Sequence, residues 1–343
     1  MKKLVGAMAI LGLLAVTGGA WAKSNSGKIT MEFDLSAHEN GKEAILWIPY
    51  PTSDEQQVIT NVNVEGNHAH GGVFTDRKFQ TPMLAVRWDK KAKSRKVTFS
   101  FDVERQEVIR RDFPASETTW DPADYATYLA PTRLGPTDGK IKELADKITA
   151  GQTTVKGKAR AIYDWICGNM YRDPKTRGCG AGDVCTLLEK PGGKCADIHS
   201  VYVALARASG VPAREVFGIR QGKKPVQDIT TWQHCWAEFY LPGYGWVPVD
   251  PGDVRKMMLK QNLKLSDAKT AEYRNYFWGG IDPYRVKLGT GRDLTLTPPQ
   301  KGKKVNYLMY PFAQVGGKTL DWLDPKTFKY TITYSELIGI SQF

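Results

Sequence analysis

The sequence predicts an α+β protein: an N-terminal β-sandwich, then a mixed core built around one buried helix, then a strand-rich C-terminal extension. Three observations carry that expectation. Five short segments before residue 108 are rich in β-branched and aromatic residues, alternate visibly and are separated by turn residues. The run from Cys195 to Ala208 has apolar residues at helical spacing, entered through Gly192-Gly193 and left through Gly210 and Pro212. A chain of 343 residues with 41% hydrophobic and 24% charged residues is globular and long enough for two domains.

The N-terminus opens with Lys2-Lys3, continues with an apolar run from Leu4 to Val16 and ends in Ala20-Trp21-Ala22. A basic start, a short apolar stretch and an Ala-x-Ala end describe a secretory leader over residues 1–22. The apolar run is short for a bilayer span, and no later segment approaches one, so no integral membrane segment is expected after cleavage. Loss of Lys2 and Lys3 lowers the net charge from +12 to +10. The basic residues are scattered rather than clustered, which gives no support to nucleic-acid binding. The expected location is periplasmic or secreted.

The strands of the sandwich are expected at 28–35, 43–49, 58–64, 82–88 and 96–104, with KKAKSRK (90–96) as a hairpin tip and the sandwich spanning 23–112. His68 and His70 fall in the glycine-rich loop NHAHGG, read as solvated rather than metal-binding. Residues 113–136, rich in Pro, Asp, Thr and Tyr without period, are a linker or strap. The remainder, 137–343, forms the second domain. One helix opens after Thr137-Asp138 and closes at Gly151; a second opens after Thr153 or Thr154 and carries Ala159, Ile162, Tyr163 and Ile166 on one side.

Cys195 stands at the start of the central helix, where unpaired N–H groups and the positive end of the helix dipole converge. That setting favours a thiolate, and the same N–H groups can receive an oxyanion. A cysteine on an apolar helix is more often an inert core residue, so the reading needs a base and an orienting group downstream. Both are found in TWQHCWAEFY-LPGYG-WVPVDP, which reads as a hairpin. A tight turn over 241–245 pairs even positions with even, placing His234 and Asp250 on one face within side-chain reach. Cys195, His234 and Asp250 then supply nucleophile, base and orienter. His199, one helical turn from Cys195, is the competing base, with no evident carboxylate except Asp197.

Five cysteines leave one unpaired if the others are bridged. Cys195 is the natural remainder, and Cys167, Cys179, Cys185 and Cys235 could form up to two bridges in three connectivities. The spacing of Cys179 and Cys185 also allows a short local bridge. From about residue 255 the aromatic, strand-like chain reads as extra strands over the core, or as a cleft wall that includes Arg285 and Arg292.

GGKCADIHSVYVALARASGVPARE, HCWAEFYLPGYGWVPVDP and the upstream AIYDWICGNMYRD resemble the bacterial transglutaminase-like superfamily over about residues 125–290. The resemblance implies a papain-like core and makes 137–343 a transglutaminase-like catalytic domain. In it Cys195 acts as nucleophile, His234 as base and Asp250 as orienter, with Asn169 or Tyr171 as candidates for an extra oxyanion donor. No acidic cluster resembles a calcium site, and neither cofactor nor metal is expected. The implied activity is cysteine-dependent acyl transfer in the cell envelope. Hydrolysis of peptide or amide bonds, as a protease or amidase, is the first reading, and protein–amine cross-linking the second. A non-catalytic envelope-binding protein is the reading from outside enzymology.

Overall fold

The structure, a computed structural model, describes residues 23–38 and 41–337; the expected leader at 1–22 lies outside them. Two five-stranded antiparallel sheets form the sandwich. In the first, Ser24–Asp34 runs between Lys96–Gln106 and Lys329–Glu336, so that Thr30 faces Ser100 on one side and Thr333 on the other. In the second, Ala44–Pro49 runs between Pro82–Trp88 and Phe312–Val315. The alternation seen in the sequence has a direct outcome. Ile29, Met31 and Phe33 point inward with Phe99, Phe101 and Val103, against Leu46, Ile48 and Val86 of the facing sheet.

The sandwich is therefore built from both ends of the chain. Residues 312–336 were expected within the second domain at 137–343, yet their strands complete the sandwich sheets, and Ile332 and Tyr334 join its core. The reason is edge satisfaction: without Lys329–Glu336, the long strand Ser24–Asp34 would present a row of unpaired N–H and C=O groups. The segment KKAKSRK is a crossing rather than a hairpin tip, since the strands on either side of it lie in different sheets. A further strand, His70–Thr75, occupies an outer edge where a loop was expected. Gly71 and Gly72 weaken its strand pattern, and an edge position tolerates them.

The second layer system is a four-stranded antiparallel sheet in the order Gly245–Val249, Gln233–Leu241, Ala213–Arg220, Arg285–Thr290. Against it packs the helix Cys195–Ala208, every residue of which is buried. The helices Gly139–Ile148 and Val155–Asn169 cover that helix in turn. Thr154 caps the latter by accepting from the Gly157 N–H at 3.0 Å. The central helix stops as its sequence requires, with Gly210 at φ +77° and Val211 N–H donating back to the Ala206 carbonyl. The expected linker is a strap across the hairpin, where Tyr125 lies on Tyr240 (ring centroids 4.3 Å apart) and Tyr128 on Trp246 (4.8 Å).

Candidate active site

Cys195 is the first residue of its helix. Two features hold it there. The Asp197 carboxylate, one turn in, accepts from the Lys194 N–H at 3.0 Å and the Gly182 N–H at 2.8 Å, so it fastens both the helix start and the glycine-rich loop before it. The Cys179 carbonyl accepts the Ala196 N–H at 2.9 Å. That bond uses one of the donors expected to receive an oxyanion and leaves the Cys195 N–H without a partner among the described residues. The loop must be glycine where it crosses Asp197. Gly180 has φ +93°, and a Cβ there would sit 1.9 Å from Asp197 Oδ2.

His234 arrives on the strand Gln233–Leu241, and Asp250 just beyond the partner strand Gly245–Val249. The register pairs Glu238 with Pro248 and Tyr240 with Trp246, so even positions do face even ones. His234 Nε2 lies 2.7 Å from Asp250 Oδ2, which leaves His234 Nδ1 for the Cys195 thiol. The three expected residues are thus brought together, all of them buried: Cys195 is 2% exposed, His234 3% and Asp250 0%.

Asp250 holds more than His234. Its other oxygen takes His199 Nε2 at 3.1 Å and the Asp253 N–H at 2.7 Å, and Arg285 Nη1 donates to Oδ2. A carboxylate has about four acceptor sites, and here all are used. His199 therefore has a carboxylate partner, and it is Asp250 rather than Asp197, which is spent on the helix cap. Arg285 runs on to Asp253 at 2.8 Å and Asp282 at 2.9 Å. The donor atoms of His234, Asp250 and Asp253 lie within 4.8 Å of one another, a spacing that could gather a cation. The Arg285 guanidinium already bridges the two carboxylates of that group.

Charge follows from this packing. Burial raises the Asp250 carboxyl, but the Arg285 charge and then the two histidines overcome it and hold the group well below its usual range. For Cys195, hydrogen bonds with the Cys179 and Cys235 thiols, then with His234, hold the thiol well below its ordinary value against the opposing effect of burial. The neighbours move the other way. Cys179 is pushed well up, first by its bond to Cys195 and then by burial, and Cys235 is pushed well up, first by burial and then by Cys195. Of the three thiols, only that of Cys195 is held below its ordinary value.

The proximity of Cys179 and Cys235 to Cys195 was not legible in the sequence. All five cysteines are free, and Cys185 is exposed on the short helix Val184–Glu189, away from the local bridge considered for it. Arg285 and Arg292, read as cleft walls, are buried behind the site. Arg292 binds Glu215 at 2.8 Å and the Ala181 carbonyl at 3.0 Å, tying the glycine loop to the sheet. Asn169 donates to the Trp165 carbonyl of its own helix, and the half-exposed Tyr171 ring covers Gly192. Neither offers a donor aimed at Cys195. A cleft of about 410 Å³ is lined by Cys179, Lys194 and Gln233, which adjoin Cys195 and His234.

Comparison with known proteins identifies the family and the fold. The model of the transglutaminase-like superfamily matches residues 142–251, the stretch that holds Cys195, His234 and Asp250. A relative of uncharacterised function from Haemophilus influenzae is 34% identical and aligns over 98% of this chain and 100% of its own length. A protein-glutamine gamma-glutamyltransferase of Pseudomonas aeruginosa is 31% identical over 144 residues, 39% of this chain and 21% of that one. Among solved structures, a candidate cysteine protease from Cytophaga hutchinsonii superposes with a TM-score of 0.55 at 18% identity, covering 92% of this chain and 99% of that one, and so shares the fold.

Proposed function

The chain belongs to the transglutaminase-like superfamily, and we propose that within it this protein is an exported cysteine-dependent acyl-transfer enzyme that hydrolyses amide or peptide bonds in the cell envelope. One observation carries the reading: a thiol held low in pKa at a helix start, beside a histidine whose far nitrogen is fixed by a buried carboxylate 2.7 Å away. The Cys195 thiolate attacks the amide carbonyl, and the carbonyl π pair moves onto oxygen, where the Cys195 N–H receives it. As the tetrahedral species collapses, His234 gives its proton to the departing amine and a thioester remains. Water, deprotonated by His234, attacks the thioester and releases the acid and the Cys195 thiol. Asp250 keeps the imidazole in the tautomer that presents Nδ1 to sulfur and stabilises the imidazolium.

Water is the preferred acceptor because the cleft beside Cys195 is open and edged with polar groups, Thr230, Thr231 and Gln233 among them. Transfer to an amine is the second reading, favoured by the activity named for the Pseudomonas relative. Export rests on the leader read in residues 1–22; among the described residues no helix is long and apolar enough to cross a membrane.

The test is the pH dependence of iodoacetamide labelling at Cys195 in wild type and His234→Ala. Fast labelling near pH 6 that the substitution abolishes supports the reading, while labelling that rises only above about pH 8 in both proteins removes it. A glutamine-containing substrate with a labelled primary amine then separates the acceptors. Amine incorporation faster than hydrolysis favours the second reading.

A further inference from the structure

The cleft that ends at Cys179, Lys194 and Gln233, beside Cys195, has two unlike walls. On the core side stand Arg172, Arg177 and Lys194; on the other, the C-terminal segment contributes Tyr310, Trp322 and Phe328. No carboxylate lines this cleft among the described residues. Arg177 is matched by Asp321 at 2.6 Å, a pair that joins the two walls at the rim. Arg172 and Lys194, both half-buried, make no ion pair among the described residues. The cleft therefore carries positive charge that no carboxylate of its own lining balances. It is placed where a substrate lies, because Lys194 precedes the nucleophile directly and Gln233 precedes the base.

The aromatic wall is built as a surface. Tyr310 and Trp322 stack with centroids 6.4 Å apart, Trp322 lies 5.9 Å from Phe312 of the sandwich, and Phe328 packs on Tyr330 at 5.2 Å. These rings belong to the segment that returns the chain to the sandwich, so the sandwich fixes the cleft's second wall. Rigid rings oppose cations across a slot, a pairing that seats an extended chain by its apolar stems and draws its acidic ends.

We infer that the substrate of this cleft is an acidic peptide segment, one whose side chains next to the scissile amide carry carboxylates that Arg172 and Lys194 receive while its apolar atoms lie on Tyr310 and Trp322. The inference rests on the reading of Cys195 as the nucleophile of the adjoining site. It requires no new chemical step; it names which acyl donors reach the thiol.

The experiment uses the full mature chain and quenched-fluorescent peptides of one central sequence flanked by Glu, Gln or Lys. Two readouts run together: kcat/KM on wild type, and binding to Cys195→Ala by fluorescence anisotropy. Glu-flanked peptides are expected to exceed Lys-flanked ones by about tenfold in both at low salt, and the gap should narrow as ionic strength rises. Arg172→Glu with Lys194→Glu should reverse the order. Because Lys194 adjoins the nucleophile, Arg172→Glu alone is measured as well, with the Cys195 labelling rate confirming an intact thiolate. Binding that ignores charge, or an order that survives the double substitution, overturns the inference. Charge-selective binding to Cys195→Ala without turnover by wild type would sink the enzymatic reading and leave the acidic-ligand assignment standing.

Discussion

Replacing Asp250 by Asn is the sharpest perturbation of the site, because the side chain keeps its shape and loses its charge. At an effective dielectric of about 20, a charge pair at the 2.7 Å between His234 Nε2 and Asp250 Oδ2 is worth about 6 kcal/mol before desolvation. Arg285 shares that oxygen and weakens the hold on the imidazolium, so we take about half, near 3 kcal/mol, or about 10²-fold in rate. The Asn amide can also turn its NH₂ toward the ring and fix the wrong tautomer, an effect that costs triads up to about 10⁴-fold. The expected loss in kcat/KM is therefore between about 10² and 10⁴. The fold should survive. Removing one partner of a buried pair costs about 3–5 kcal/mol, yet Arg285 keeps Asp253 and Asp282, so the lower end applies. The assay is turnover of a fluorogenic amide beside circular dichroism and a thermal melt of the same preparation. A folded Asp250→Asn within tenfold of wild type would refute the role given to the carboxylate.

The remaining expectations address the scaffold. Gly180→Ala should destabilise the protein by about 2 kcal/mol or more, the cost of backbone strain plus a steric clash, since the residue sits at φ +93° with its new Cβ against Asp197; slower Cys195 labelling and a lower melting temperature check it. A chain ending at residue 311 should lose the sandwich, because Lys329–Glu336 and Phe312–Val315 leave with it, and soluble yield with tryptophan emission reports the outcome. Acid stability follows from Asp250, whose carboxyl titrates lower folded than unfolded. Its contribution is complete above its unfolded value near 3.8 and drains as pH falls through the lower folded value. Melting temperature should therefore hold from neutral pH to about 4 and fall below it, with a shallower fall in Asp250→Asn.

Much of the site is legible in the sequence because it is local. The helix of Cys195 announces itself by spacing and by Gly210 and Pro212, and the hairpin register follows from a short turn. Spacing alone therefore puts Cys195 at a helix start and His234 with Asp250 on one face. What stays hidden depends on distant pairing. Nothing in KYTITYSE says that it will lie beside Ser24–Asp34, at the other end of the chain, because strand patterns name a face but not a neighbour. Arg285 is misplaced for the same reason. On a strand far from Asp250 in sequence, an arginine looks like an exposed recognition group, and only the sheet order turns it inward onto three carboxylates. Cys179 is hidden by its loop, whose glycines give no periodicity to read.

Two histidines share one carboxylate here, and each has a thiol near its other nitrogen: His234 serves Cys195, and His199 Nδ1 lies 3.5 Å from Cys235 Sγ. Geometry alone would permit either pair to act, and electrostatics decides between them. Cys235 sits in mid-strand under the central helix, where burial pushes its thiol well up, so it stays protonated and holds His199 in place. Cys195 stands at the helix start, with an unspent N–H of its own and the cleft beside its neighbours Lys194 and Cys179. In the proposed mechanism a thiolate, a donor for the developing oxyanion and a route for substrate coincide at Cys195. His199 thus fixes Asp250 from the side that His234 leaves free, and the second Cys–His pair acts as a brace for the first.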